Sequence, residues 1–146
     1  MVVHMNTILI VDNDKAIRML YAEELKEDGY EVITTGDDSR VTALIEQTRP
    51  DLVVMEVLLG NHNGLEILQD ITDTHKDLPV ILCTARPAFR ADPRSRAAAA
   101  YIVKGSNINE LKGAIKAVLD EVRQYCSAGR HETGYSHKPV SVDKVR

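Results

Sequence analysis

The sequence predicts an α/β fold in which a five-stranded parallel sheet is covered by helices on both faces. Short apolar runs, rich in β-branched residues, alternate five times with segments whose apolar residues recur at helical spacing. The connections between these segments are short, which is typical of a chain that crosses repeatedly from one strand to a parallel neighbour. At 146 residues, the chain has the length of one such domain.

Local signals place the elements of the first half. Asp14 is a good N-cap for the first helix, and Gly29 is a good terminator. The second helix must end before Pro50, because the residue before a proline disfavours the helical conformation. The first three predicted strands are Thr7–Val11, 30–35 and Leu52–Met55.

The second half continues the alternation with one interruption. A third helix is predicted to start near Gly64, and Asn107 with Glu110 caps a strong last helix. The remaining strands are predicted at 80–83 and 101–103.

The fourth helix is the weak point, because Pro87 and Pro93 lie within the region 86–99. A proline inside a helix costs about 3 kcal/mol, so this region is predicted to be irregular or short. The composition becomes polar towards the C-terminus, which predicts one domain at 6–122 followed by a polar tail at 123–146.

Composition argues against several classes of function. The net charge of −4 provides no basic footprint for nucleic acid. The apolar stretches are far shorter than the roughly 20 residues that a membrane helix needs. The two cysteines do not form a disulfide framework, and the N-terminus lacks the features of a signal peptide. We therefore expect a cytoplasmic protein that binds neither nucleic acid nor a membrane.

Polar side chains stand where four of the predicted strands end. Asp12, Glu56, Thr84 and Lys104 occupy these positions. Because the carboxyl ends of parallel strands meet at one edge of a sheet, we expect these side chains to converge there, where open α/β sheets build their sites.

Five motifs follow one another along the chain: ILIVD at 8–12, PDLV at 50–53, NGLE at 63–66, PVI at 79–81 with TA at 84–85, and YIVK at 101–104. One such motif alone is a weak signal, whereas five with the proper spacing are a strong one. Together they resemble the receiver domain of the response regulators of bacterial two-component systems. The resemblance covers about residues 6–122 and implies the CheY-like, flavodoxin-like form of the fold.

The resemblance implies a phosphorylation switch. In such receivers an aspartate accepts a phosphoryl group from a histidine kinase, while Mg²⁺ is held by an acidic pair, that aspartate and a backbone carbonyl. Phosphoryl transfer depends on positioning and on neutralisation of charge, which explains the need for a hard cation and a lysine. Carried onto this sequence, the positions are Glu56 for the acceptor, Asp12 and Asn13 for the acidic pair, Leu58 for the backbone carbonyl, Thr84 and Lys104 for phosphoryl binding, and Tyr101 for the switch aromatic.

The chain departs from the family pattern at this site. Glu56 replaces the acceptor aspartate and is one methylene longer, and Asn13 removes a charge from the metal-binding pair. Gly60 and Gly105 replace prolines in the neighbouring loops, which lose stiffness as a result. Mg²⁺ binding is therefore expected to be weakened if it is retained.

Three interpretations of Glu56 stay open at the level of sequence. Its longer side chain could imitate the phosphorylated state by reaching Lys104 and Thr84. It could instead belong to a degenerate site in which it only pairs with Lys104. As a third interpretation, it could still accept a phosphoryl group, although a misplacement of one methylene is costly when reaction depends on in-line geometry.

For other residues near the site, ordinary structural roles are also open or expected. Thr84 is either a phosphoryl-binding group or a strand-end hydroxyl bonded to the backbone. Tyr101 is either a switch that moves inward or a half-buried strand aromatic. Asp14 is expected to cap a helix rather than bind metal, and His62 is expected to be a loop residue.

The sequence therefore predicts a signalling module rather than an enzyme, an atypical single-domain receiver that acts by binding a protein without aspartyl phosphorylation. Its expected partner is a histidine kinase or a downstream target, and the proline-rich region leaves dimerisation open. The alternatives are a receiver that still binds Mg²⁺ and accepts a phosphoryl group, or a constitutive phosphomimic.

A flavin or nucleotide binder of the same architecture is disfavoured, because acidic and amide residues rather than a Gly-rich loop follow the first strand. Since no output domain fits after residue 122, output is expected to be a contact made by the domain itself, unless the chain is a fragment.

Overall fold

The computed structural model describes residues 5–105 and 107–129, with side chains as far as Tyr125. Its strands are β1 (Thr7–Val11), β2 (Glu31–Thr35), β3 (Leu52–Met55), β4 (Leu58–Leu59), β5 (His62–Asn63), β6 (Val80–Thr84) and β7 (Ala100–Val103). Five of them form a sheet in the order β2-β1-β3-β6-β7, and every pairing in this sheet is parallel. The predicted fold class is confirmed.

The α-helices within the described residues are α1 (Lys15–Glu27), α2 (Val41–Thr48), α3 (Gly64–Thr74) and α4 (Asn109–Gly129), the last of which follows β7. Asp14 caps α1 as predicted, since its side chain accepts hydrogen bonds from the backbone N–H groups of Ala16 and Ile17. Among the described residues, no helix combines the length and the apolar character needed to cross a bilayer. Helix α4 continues past residue 122, and residues 130–146 of the predicted tail lie outside the described part of the chain. The boundary at 122 stays a prediction.

The sheet is buried on both faces, because successive strand residues point to opposite sides. In β1, Ile8 and Ile10 pack against α1 and α4, whereas Leu9 and Val11 pack with α2 and α3 on the other side. All four residues of β3 are buried, and β3 is the central strand of the sheet. Glu56, which follows β3, therefore lies at the middle of the sheet's carboxyl edge.

Two 3₁₀ turns occupy the region where a fourth helix would lie, at Pro87–Ala91 and Pro93–Ala97. Each turn has a proline in its first positions, where the absent N–H costs nothing. Asp92 ends the first turn and caps the second by accepting a hydrogen bond from the N–H of Arg94.

A small hairpin follows Glu56 and was not predicted from the sequence. Strands β4 and β5 pair antiparallel, and Gly60 makes the turn between them with a φ of 64°. Gly64 then returns the chain to the sheet edge, where its N–H donates to the carbonyl of Val57 at 2.6 Å. A Cβ added to Gly64 would collide with the backbone carbonyl oxygen of Glu56 and lie 3.0 Å from the Cα of Val57.

Replacement of Gly64 by alanine should therefore destabilise the fold, because backbone atoms rather than a flexible side chain fill the space. We expect Gly64→Ala to lower the free energy of unfolding by roughly 1–3 kcal/mol in urea titrations. Gly113→Ala is the matched control, since Gly113 lies inside α4 with open space around the added Cβ, and it should be stabilising by about 0.5–1 kcal/mol. A neutral effect of Gly64→Ala would show that the loop after Glu56 shifts freely.

Candidate functional site

The carboxyl edge of the sheet brings together the four residues that the sequence placed there. Asp12 follows β1, Glu56 follows β3, Thr84 ends β6 and Lys104 follows β7. Three of them are nearly inaccessible to solvent, with exposed fractions of 3% for Asp12, 7% for Glu56 and 0% for Thr84. Two acids at this depth require partners, because an unpaired buried charge is strongly unfavourable.

The ammonium group of Lys104 is shared by both acids. Its Nζ donates to Asp12 Oδ2 at 2.7 Å and to Glu56 Oε1 at 2.8 Å. The lysine side chain is itself only 16% exposed. Glu56 and Lys104 thus form an ion pair, and Asp12 joins it in a three-residue network.

Backbone groups satisfy the remaining carboxylate oxygens. Glu56 Oε2 accepts hydrogen bonds from the N–H groups of Val57, at 2.6 Å, and Leu58, at 3.1 Å. Asp12 Oδ1 accepts one from the N–H of Asp14 at 2.9 Å. Every oxygen of the two carboxylates thus has a donor, which is what burial of such groups demands.

The charge of Lys104 is stabilised by these contacts. Burial disfavours the ammonium form, but the hydrogen bonds that it donates to Asp12 and Glu56 outweigh this cost, so the pKa of Lys104 is raised above its ordinary value. A raised pKa means that this contribution to stability is complete below the ordinary lysine range and is lost only as the pH rises through the folded-state pKa.

The other predicted site residues lie near this network in different roles. The Thr84 hydroxyl oxygen accepts a long hydrogen bond, 3.4 Å, from the N–H of Arg86, which matches the strand-end interpretation of this residue. The carbonyl of Thr84 accepts from the N–H of Lys104 at 2.8 Å and so ties the base of the lysine to β6. Asn13 is exposed, and Leu58, 42% exposed, contacts Glu56 through its N–H.

Tyr101 is buried, with 5% of its surface exposed, and it packs in the core on the α2–α3 side of the sheet. Its hydroxyl donates to the carbonyl of Arg86. The guanidinium of Arg90 lies 5.1 Å from the centre of the tyrosine ring and donates to the Tyr101 carbonyl at 3.0 Å. Tyr101, the predicted switch aromatic, is therefore turned into the core, with hydrogen bonds at both its hydroxyl and its backbone carbonyl.

Sequence reasoning missed a second cation beside Asp12. Arg18 in α1 donates from Nη1 to the carbonyl of Asp12 at 2.6 Å. Its guanidinium packs so closely on Gly36 that a Cβ there would collide with it. An arginine in the first turns of the helix after Asp12, together with a glycine after β2, is a signal that could have suggested this contact.

Two further side-chain contacts lie outside the network, one at Cys83 and one at His62. The Tyr21 hydroxyl and the Cys83 sulfur lie 3.9 Å apart, and burial raises the pKa of the Cys83 thiol to about 11, so this cysteine stays protonated at neutral pH. His62 is exposed as predicted for a loop residue, but it also contacts the carboxylate of Asp38 and so links the hairpin to the segment before α2.

Comparison with known proteins identifies the class of protein. The response regulator receiver domain family matches residues 8–116, and the chain belongs to this family. It is 31% identical over 140 residues to the response regulator MprA of Mycolicibacterium vanbaalenii, a match that spans 94% of this chain but 60% of the relative. With the probable transcriptional regulatory protein TcrX of Mycobacterium tuberculosis it shares 30% over 115 residues, which is 77% of this chain and 49% of the relative. The chain thus spans about half to 60% of the length of these relatives.

Solved structures agree with the family assignment. The response regulator TrrA of Thermotoga maritima, solved in complex with Mg²⁺-BeF, is 37% identical with a TM-score of 0.75, over 77% of this chain and 98% of that one. A CheY-like receiver domain protein of Methanospirillum hungatei is 30% identical with a TM-score of 0.78, over 84% of this chain and 99% of that one. TrrA has also been solved in complex with the histidine kinase ThkA. This chain is accordingly a receiver domain of a two-component response regulator, a signalling module.

The residues at the position of the family's metal ion fit it poorly. The oxygens of Asp12 and Glu56 are occupied by Lys104 and by backbone N–H groups, and Asn13 supplies only a neutral amide. Among the described residues, no cluster of three or more His, Cys, Asp or Glu side chains is arranged to hold a metal ion. A cation bound by Asp12 and Glu56 would compete with the Lys104 ammonium for their oxygens.

Proposed function

We propose that this chain is an atypical receiver that acts through protein–protein binding in two-component signalling without being phosphorylated at position 56. The observation that carries the proposal is the complete engagement of the Glu56 carboxylate, with one oxygen on Lys104 and the other on two backbone N–H groups. The same network makes Mg²⁺ binding weaker than in receivers with two acids at this position. The domain is proposed to extend over 6–122, to reside in the cytoplasm and to bind a histidine kinase or a downstream target.

Geometry disfavours Glu56 as a phosphoryl acceptor. A nucleophilic oxygen must be free to approach phosphorus in line with the leaving group. Here both oxygens are held by donors within 3.1 Å, and the residue is 7% exposed. The extra methylene also moves the carboxylate away from the place an aspartate would put it. Self-phosphorylation would thus require the network to open first.

A second candidate is a constitutive phosphomimic, and one observation favours it. Glu56 reaches Lys104, and Tyr101 is already turned inward, the arrangement expected if the glutamate imitates the phosphorylated state. Both candidates describe a receiver in one fixed state. They differ in whether the partner recognises that state through position 56. The variant Glu56→Gln separates them. It should lower the affinity for the partner if Glu56 is a phosphomimic, and leave it unchanged if the partner binds a surface that does not depend on position 56.

Incubation with acetyl phosphate and Mg²⁺ tests the absence of phosphorylation. Intact-mass measurement should show no added phosphoryl group on the wild-type chain, because the acceptor oxygens are engaged. The control is the double variant Glu56→Asp/Asn13→Asp, which restores the acceptor and the acidic pair of the family and should gain one phosphoryl group. Phosphorylation of the wild type, mapped to Glu56, would refute the proposal.

Metal affinity can be compared independently of phosphorylation. We expect Asn13→Asp to bind Mg²⁺ at least about tenfold more tightly than the wild type in calorimetric titrations, because it adds a charged oxygen ligand for a hard cation. Asp14→Asn, which leaves the capping oxygen in place, is the control and should leave the affinity unchanged. Equal affinities of wild type and Asn13→Asp would contradict a weakened site.

A further inference from the structure

The segment 86–97 presents four arginines, Arg86, Arg90, Arg94 and Arg96, and all of them are exposed. We call this the arginine surface. The other exposed residues of the segment are alanines and prolines, namely Pro87, Ala88, Ala91, Pro93 and Ala97. Arginine is enriched at protein interfaces, where lysine is depleted.

The arginine surface is held in one conformation by contacts of its own. Ser95, 6% exposed, donates from its hydroxyl towards the carbonyls of Arg90 and Asp92, at 3.1 and 2.7 Å. Phe89 packs against the core, and Arg90 is fixed to Tyr101. A surface that is already ordered loses little conformational entropy when it binds a partner.

Charge sets this surface apart from the rest of the molecule. The whole chain has 18 Lys and Arg against 22 Asp and Glu, and the segment holds four of the basic residues and one of the acids. Outside the segment the net charge is therefore −7. Within it, Asp92 neutralises Arg94 through a two-point contact, at 3.1 and 2.8 Å, and the segment keeps a net charge of +3.

We propose that the arginine surface docks an acidic polypeptide segment of a protein partner. Carboxylates pair with guanidinium groups in planar two-point contacts, and the alanines and prolines accept the apolar side chains between them. A nucleic acid fits less well, because the rest of the chain has a net charge of −7, which repels a phosphate backbone that is longer than this short segment. The inference rests on the proposed function in that the receiver works by binding a protein, and it adds the chemistry of that protein.

Fluorescence anisotropy with a short fluorescein-labelled peptide of alternating glutamate and alanine residues tests the proposal. The double variant Arg86→Ser/Arg96→Ser removes two charges and leaves Arg90 and Arg94 in their contacts. We expect it to weaken binding about tenfold relative to wild type. The matched control Arg40→Ser/Lys76→Ser removes two exposed charges elsewhere, Arg40 beyond the opposite edge strand and Lys76 before β6, and should bind like the wild type.

Amide chemical-shift mapping on the wild-type protein keeps the test independent of the variants' stability. Peptide-induced shifts should centre on 86–97. Absence of binding, equal binding by the arginine double variant, or shifts centred elsewhere would overturn the proposal, as would tighter binding of a single-stranded oligothymidylate of equal charge. The wild type and both double variants of this test keep Glu56. Phosphorylation of Glu56 in the acetyl phosphate experiment would therefore overturn the proposed function, but it would not change the peptide-binding results.

Discussion

The carboxyl edge of the sheet depends on one ammonium group held between two buried carboxylates. Strand β6 separates β7 from β3 in the sheet, so the Lys104 side chain passes over the end of β6 to reach Glu56 and Asp12. The contact fixes the ends of β1, β3 and β7 relative to one another. Its removal would leave the two carboxylates without the ammonium that pairs them, in a site that solvent barely reaches, and breaking a buried pair in this way costs about 3–5 kcal/mol.

The network shows what a glutamate, rather than the family's aspartate, does at position 56. The longer side chain lets one carboxylate meet two demands at once: Oε1 reaches Lys104, and Oε2 turns back onto the N–H groups of Val57 and Leu58. With Asp12 bonded to Lys104 and to the N–H of Asp14, each oxygen of the two carboxylates has a donor from the chain itself. The buried Tyr101, held by Arg86 and Arg90, extends the same fixed arrangement towards the arginine surface.

Much of the fold and the four central site residues could be predicted, because parallel strands place their carboxyl ends at a common edge. The prolines at 87 and 93 predicted an irregular or short region at 86–99, and the structure has two 3₁₀ turns there. The hairpin of β4 and β5 escaped prediction, since strands of two residues carry no detectable periodicity. The contacts of Arg18 with Asp12 and of Arg90 with Tyr101 escaped it as well, because they depend on where long flexible side chains come to lie in the folded chain.

The most direct test of this account is the coupling energy between Lys104 and Glu56 at neutral pH. A double-mutant cycle of Lys104→Met and Glu56→Gln, measured by urea unfolding, should give a coupling of at least about 2 kcal/mol. The pair Lys112 and Glu24, with N–O distance 2.9 Å but side chains 22% and 33% exposed, provides the reference and should give less than about 1 kcal/mol. A coupling for Lys104 and Glu56 no larger than that of the reference pair would contradict the central role of the shared ammonium group.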